Sequence, residues 1–230
     1  MSALVSFPAR YPSADSLPRR IPVFPLSGAL LLPRAELPLN IFEPRYLAMV
    51  DDALSGDRII GIVQPEDPPD RSPRRGAVPP LFRTGCAGRL TAYTETSDDR
   101  MLITLTGIAR FRIATEHATT KPYRLVEPDY AAFADDFVSN FGEDQVDRPA
   151  LLKAFRDFLE AHNMGADWDE VAQATSESLV NAFSILSPFS PIEKQALLEA
   201  TDLKARADML IALTEISLGA QAGGMGSQLQ

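Results

Sequence analysis

Read for alternation, the chain changes character once. Up to about Phe133 the apolar residues come in short runs, many of them split by proline or glycine; beyond it they recur every three or four positions. The first pattern predicts strands: "IPVFPL", "ALLLP" and "LPLNIF" between Ile21 and Phe42, "RIIGIV" (Arg58 to Val63), then "LFRTGCAGRLTAYTET" and "MLITLTGIARFRIA" around the turn "SDD", and finally "YRLVEPDY". Proline cannot donate to a ladder, so Pro22, Pro25, Pro33 and Pro38 belong at strand ends, bulges or edges. Gly85, Gly88 and Gly107 mark bends. One helix interrupts the strands. In "LPLNIFEPRY" the residues Phe42, Glu43, Pro44, Arg45 and Tyr46 read as a structural joint. Pro44 suits the first helical position, Glu43 suits a helix start, and Arg45 is expected to anchor the helix to the sheet. Leu47, Val50 and Leu54 then follow at helical spacing, and Gly56 closes the helix. About six strands with one inserted helix predict a small barrel-like sheet, not a doubly wound one.

The second pattern predicts four amphipathic helices, which together suggest a bundle. "DRPALLKAFRDFLEAH" puts Leu151, Leu152, Phe155, Phe158 and Leu159 on one face. "DWDEVAQATSESLVNAFSIL" opens with Asp167 and Glu170 at capping-box spacing and is expected to bury Val171, Leu179, Phe183 and Leu186. "SPIEKQALLEA" repeats the capping signal at Ser190 and Glu193, and "DLKARADMLIALTEISLG" adds Leu203, Leu210, Leu213 and Ile216 before Gly219. The fold class is therefore α+β. Residues 1–18 read as a tail, 19–133 as a β-rich domain, 134–218 as the helical bundle and 219–230 as a second tail. The segment 65–80, with six prolines, is expected to be an exposed, mobile loop of the first domain.

Composition narrows the function. With 230 residues, 45% hydrophobic and 23% charged, the chain is globular and not disordered. The net charge of −9 is uneven: 16 Lys and Arg face 14 Asp and Glu through Glu127, but only 6 face 17 after it. The acidic half repels phosphate backbones, which disfavours nucleic acid as a partner. No apolar run reaches the roughly 18 residues of a membrane span, and the N-terminus lacks the apolar core of a secretory signal. A single cysteine, Cys86, fits a reducing cytoplasm.

The motifs resemble the Lon protease N-terminal domain family, in particular its free-standing bacterial members without ATPase or protease domains. "IPVFPLSGALLLPRAELPLNIFEPRY" is similar to the family's first strand pair and helix entry. "GCAGRL" with "LTGIARFRI" is similar to its central hairpin, and "EKQALLEATDLKARADMLIALTE" to its terminal helix pair. The resemblance covers about Arg19 to Ile216, with the proline-rich 65–80 insertion as a departure. It implies a PUA-like pseudo-barrel followed by a helical bundle, and a role in recognising protein substrates without cutting them.

The candidate chemistry agrees with a non-enzyme. Lys121, Lys153, Lys194 and Lys204 are the only lysines and none follows glycine, so no phosphate-cradling loop is present. Cys86 with His117 or His162 defines a hydrolase alternative, against which stands the plainer reading of a small residue buried in a bent strand. Two histidines and one cysteine, widely spaced, make no zinc site, and neither metal nor cofactor is expected. Arg110 and Arg112 share one strand face with Arg83 and Arg89 nearby, and define the other alternative, a PUA-like RNA- or nucleotide-binding barrel. The leading expectation is a module that binds unfolded or hydrophobic segments of proteins, with an ATP-dependent protease as its expected partner where it serves as an adaptor. Leu30, Leu31, Leu32, Leu37 and Leu39 exceed what one thin sheet face can cover, and are the candidate peptide-binding residues.

Overall fold

The computed structural model describes residues 11–66 and 79–226, with side chains through residue 220. Two compact units divide the chain, Met1–Ser139 and Asn140–Gln230.

Among its described residues the first unit contains six strands: β1 (Ile21–Pro25), β2 (Glu36–Ile41), β3 (Ile59–Pro65), β4 (Leu81–Glu95), β5 (Met101–His117) and β6 (Arg124–Asp129). Between β2 and β3 lies α1 (Pro44–Ser55). The sheet order is β2-β5-β4-β3-β1-β6, and β6 pairs back onto β5. Strands β1, β3, β4, β5 and β6 therefore close on themselves, which covers most of their edges, although the end of β4 (residues 92–95) pairs only with β5. β1 and β3 are parallel, as a pair separated by a helical crossover can be; the other pairings are antiparallel.

The long β5 does two jobs. Its second half runs between β4 and β6 inside the closed barrel, while its first half carries β2 as an added outer strand. The change occurs where the register slips, between Ala87 opposite Ala109 and Gly88 opposite Gly107. Ile21, Val23, Ile59, Val63, Ala87, Ala109, Phe111 and Val126 fill the barrel and are almost completely buried. The continuous apolar run predicted for β3 is buried throughout Ile59–Gln64.

Three boundaries differ from the sequence reading. Tyr11 and Leu17 are buried in the barrel core, so the described end of the expected tail is part of the domain; residues 1–10 lie outside the described residues. The first unit extends past Phe133 through a 3-10 stretch, Ala131–Phe137. Its Asp136 accepts three hydrogen bonds from buried Arg110, from the backbone N–H (2.8 Å), Nε (2.9 Å) and Nη2 (2.7 Å). Most of the proline-rich segment, 67–78, also lies outside the described residues, but its ends are a ladder: Pro65 pairs with Leu81, and Glu66 N–H donates to the Pro80 carbonyl.

Among its described residues the second unit has a 3-10 turn, Glu143–Gln145, and five α-helices: α2 (Arg148–Ala161), α3 (Trp168–Gln173), α4 (Ser176–Leu186), α5 (Pro191–Glu199) and α6 (Leu203–Gly226). The helix expected to run unbroken from Trp168 to Leu186 is two. Ala174 is extended and Thr175 caps a new start, its hydroxyl accepting from Ser178 N–H (3.1 Å). The Ser190 capping box closes in both directions, with Glu193 Oε2 accepting from Ser190 N–H (2.7 Å). The last helix continues through Gly219, where a break was expected. Leu186 and Ile216, expected inside, are exposed. Leu186 ends its helix, and Thr214 takes the inward position near Ile216 by donating its hydroxyl to the Leu210 carbonyl (2.8 Å).

Candidate protein-binding surface

The surface is set up by a turn. Leu32–Ala35 closes with Ala35 N–H donating to the Leu32 carbonyl (3.1 Å). Pro33 occupies the second position, and Arg34, at φ 65°, the third; this is the type II arrangement, in which glycine usually fills the left-handed place. The next step is a bulge opposite Gly107: Arg34 N–H donates to Gly107 O, and Gly107 N–H to Ala35 O, both at 2.8 Å. Gly107 has no substitute here, because a Cβ would stand 2.0 Å from the Leu32 carbonyl oxygen. The Arg34 side chain is used as well, Nη1 donating to the Asp136 carbonyl (2.6 Å).

That hydrogen-bonded start fixes which way every β2 amide points. Bonded and non-bonded pairs alternate along an antiparallel ladder. With Ala35 and Gly107 bonded, the pairs Leu37–Leu105, Leu39–Ile103 and Ile41–Met101 are the bonded ones. Glu36, Pro38 and Asn40 therefore turn their backbone groups away from β5, toward the outer side of the sheet. Among the described residues no strand pairs there. The free edge offers three carbonyls but only two N–H donors, because Pro38 has none. Proline is here at the place in a sheet where its missing donor costs no ladder bond.

The candidate leucines divide on this frame. Leu30, Leu31 and Leu32 are at most 2% exposed and belong to the core, so they cannot present a surface. The "ALLLP" segment, expected as a strand, joins none of the described strands; its run is apolar because the segment is buried between β1 and β2 in the chain, not because it is sticky. Leu37 and Leu39 are half-buried on the outer strand. Phe42, read as part of the joint, is 61% exposed, and Leu102 is 47% exposed. Extending the register past Ile41–Met101 sets Phe42 opposite Arg100, whose guanidinium lies 5.8 Å from the ring centroid. Phe42 and Leu102 then share the outer sheet face with Pro38 and Asn40. Tyr93, also half-exposed, stands on the opposite face beside Ile103 and Leu39. The alternation Met101-Ile103-Leu105, all buried, already assigned Leu102 outward.

The rest of the joint is structural, with one change. Pro44 is in the first turn of α1 and Tyr46 is buried, its ring centroid 4.1 Å from that of Phe24. Burial raises the Tyr46 phenol above its ordinary pKa. Glu43 is the N-cap residue but makes no side-chain cap bond. It pairs with Arg45 (2.7 Å), whose guanidinium lies 4.5 Å over the Tyr46 ring. Nearby, Asp52 of α1 accepts from Lys121 Nζ (2.9 Å) and Tyr123 Oη (2.7 Å). These bonds hold the Asp52 carboxyl below its usual range. Burial, helped by Asp52, pushes Tyr123 up to about 12.

The alternatives lose their geometry. Arg110 does not look outward: it is 3% exposed, ion-paired to Asp136 and 4.4 Å over the Phe133 ring. The period-two rule fails at Arg110 because the bulged register and Asp136 draw it inside. Only Arg112 of that pair is exposed. Cys86 is buried, its Sγ 3.7 Å from the Ala87 carbonyl. It stands opposite Arg110, seven residues or about 20 Å along β5 from His117. His117 lies 3.4 Å from Glu127, and His162 caps α2 with Nδ1 2.9 Å from the Phe158 carbonyl. Among the described residues no cluster suits a metal ion, and no helix is long and apolar enough to cross a membrane. A groove of about 930 Å³ bounded by Leu17, Tyr130, Ala134, Phe137 and Val138 brings together no histidine or cysteine.

Comparison with known proteins follows the same lines. The sequence profile of the family described as "ATP-dependent protease La (LON) substrate-binding domain" matches residues 20–215. Lon protease 2 of Myxococcus xanthus is 27% identical over 205 residues, which is 86% of this chain and 24% of that protein. Lon protease 2 of Sorangium cellulosum is 26% identical, over 88% of this chain and 25% of that protein. The chain thus spans about a quarter of the length of these curated relatives. In fold it is similar to the crystal structure of a Lon N-terminal domain protein from Xanthomonas campestris (TM-score 0.59, 22% identity, 84% of this chain and 97% of that one). It is similar also to the N-terminal domain of a Mycobacterium avium complex Lon protease (TM-score 0.62, 18% identity, 85% and 98%).

Proposed function

The chain belongs to the LON substrate-binding domain family, and on that footing we propose that it is a non-catalytic cytoplasmic module that holds extended hydrophobic segments of protein substrates against the outer edge of β2. The observation that carries the reading is the edge itself. A half-buried leucine pair, Leu37 and Leu39, lines one face of a strand whose outer edge has no partner among the described residues, and Phe42 and Leu102 stand exposed on the other face. An added strand would bond to the outward groups of Glu36 and Asn40 and bury these side chains, so main-chain bonds supply affinity and the side chains supply preference. On this reading the closed barrel that carries the edge is the PUA-like pseudo-barrel, and the helical unit is the bundle. The protein that receives the bound segment is an ATP-dependent protease, with this chain as adaptor.

The test is titration of the purified protein with a labelled unfolded polypeptide, read by fluorescence anisotropy. A Kd of tens of micromolar or tighter, about −6 to −7 kcal/mol, is expected. Asn40→Pro removes one of the two outward donors while leaving the bonds to β5, and should weaken binding about two- to tenfold. Phe42→Asp with Leu102→Asp should weaken it at least tenfold. Absence of binding by the wild type, or unchanged binding by all these variants, would refute the assignment.

A further inference from the structure

We propose that the outer face of α2 is a docking surface for an acidic segment of a partner protein, one that sets an apolar side chain between two carboxylates. The surface belongs to the second unit and shares no residue with the β2 edge, so it goes beyond the substrate site. The helix keeps its amphipathic pattern except at one place. Leu151, Ala154, Phe155, Phe158 and Leu159 are buried. Leu152, expected on that face, is only half-buried and lies one turn from Arg148 on one side and from Arg156 on the other. With Pro149 and Lys153 these residues line a groove of about 420 Å³. Three of its five lining side chains are cationic and none is acidic.

The two arginines are held in place without being neutralised. Arg148 Nη2 donates to the carbonyls of Val171 (3.0 Å) and Ala172 (3.2 Å) in α3. The Arg156 guanidinium lies 4.5 Å over the Trp168 ring, which packs in turn on Phe155 with ring centroids 6.4 Å apart. Carbonyls and a ring face fix a guanidinium and leave its charge in place. Neither arginine forms an ion pair among the described residues. Lys153, by contrast, is paired with Asp157 (2.7 Å). The rest of the unit has the opposite sign. From Asn140 onward the chain has 14 Asp and Glu against six Lys and Arg, and three of those six line this groove. An acidic segment is therefore repelled by the unit as a whole and attracted at the groove, which fixes where it docks.

Spacing adds a pattern to the charge. Arg148 and Arg156 are eight residues apart, about 12 Å along the helix, with Leu152 midway. An extended segment covers that distance in four residues and puts its first, third and fifth side chains on one face. The fitting sequence is acid-x-apolar-x-acid. Each carboxylate then meets one guanidinium, and the apolar side chain covers Leu152 and Pro149.

The probe is a capped, labelled Glu-Ser-Leu-Ser-Glu peptide titrated with the full chain and read by anisotropy. Trp168 is the only tryptophan, so a shift of its emission on binding reports the α2 face directly. At low salt the peptide should bind about fivefold or more tighter than its Gln-for-Glu counterpart, as two exposed ion pairs allow, and the ratio should shrink toward one at high salt. Arg156→Gln, at an exposed position, should weaken binding about threefold with an unchanged melting temperature, and Ser for Leu in the peptide should weaken it about threefold as well. Equal binding of the Glu and Gln peptides, or binding of neither, refutes the surface. Binding that leaves Trp168 silent and ignores Arg156→Gln refutes its assignment to α2. If the Ser peptide or oligothymidylate binds as tightly as the parent, the groove is an unselective anion site and the proposal falls. The Phe42→Asp/Leu102→Asp variant should bind the peptide as the wild type does; a loss there would put the peptide on the β2 edge and overturn the α2 assignment.

Discussion

Gly107→Ala is the sharpest test of how β2 is placed. The new methyl carbon would lie 2.0 Å from the Leu32 carbonyl oxygen, 2.8 Å from its carbonyl carbon and 3.3 Å from Pro33 Cα. All three are backbone atoms, so no side-chain rotation can relieve the contact. Either the turn retreats by more than 1 Å, or β5 does. Retreat of the turn breaks both 2.8 Å bonds between Gly107 and residues 34–35, at about 0.5–1.5 kcal/mol each. It also disturbs the buried Leu31 and Leu32, for a further cost of about 1–3 kcal/mol. The expected loss is about 3 kcal/mol, or a fall in melting temperature of about 6–12 °C. Gly219→Ala, on the open face of α6 with nothing within 4 Å of the added carbon, serves as control and should be neutral or slightly stabilising. Hydrogen exchange resolves the cause. In the wild type the Leu37, Leu39 and Ile41 amides should be protected and those of Glu36 and Asn40 fast; in Gly107→Ala the protected set should become fast while Phe111 and Val126 in the barrel keep their protection. A Gly107→Ala protein that melts within about 2 °C of wild type with the alternating pattern intact would refute the bulge as the device that orients the edge.

Two further outcomes follow from the ion-paired groups. Asp136→Ala should cost about 3–5 kcal/mol in urea denaturation, because it strands the buried Arg110 guanidinium; a loss below 1 kcal/mol would show that the pair does not bear on stability. Asp52 contributes stability that is present above its ordinary carboxylate pKa and is lost as pH falls through its lowered folded value, whereas Tyr123 contributes stability that is present below pH 10 and is lost as pH rises through about 12. Asp52→Asn should therefore flatten the acid limb of the stability profile and move one tyrosinate transition down from about 12, as followed by ultraviolet absorbance; an unmoved transition would contradict the Asp52–Tyr123 bond.

What the sequence disclosed and what it hid have separate physical causes. Strands, the inserted helix and two further helix starts were legible because each start rests on local chemistry: Pro44 at a first turn, Asp167 accepting from the Glu170 N–H, Ser190 with Glu193 as a capping box. The break at Ala174 was missed because Val171, Leu179 and Phe183 keep a helical rhythm on both sides, although Thr175 and Ser178 in "ATSES" supplied a capping signal. Arg110 was placed on the wrong side because its partner, Asp136, lies 26 residues away and alternation alone carries no trace of it. The leucine run 30–32 was read as surplus because composition counts apolar residues without knowing how many elements cover them.

The edge reading depends on a fact that neither composition nor alternation could supply. Closing five strands covers most of the edges among them; among the described residues β2 is paired on a single side along its whole length, as is the end of β4 (residues 92–95), which meets only β5. An exposed edge is an aggregation hazard that proteins ordinarily blunt with proline, charge or a bulge. This edge carries all three: Pro38 in the middle, Glu36 at one end, and the Arg34–Gly107 bulge at its start. Pro38 interrupts the row of donors, so a second copy of β2 pairing with it would oppose one gap with another and lose a donor from each strand. A segment of a different sequence has no such gap of its own and loses only the one bond to Pro38. The defect that discourages self-association therefore costs a foreign segment less, and an edge built this way favours a client over another copy of the same chain.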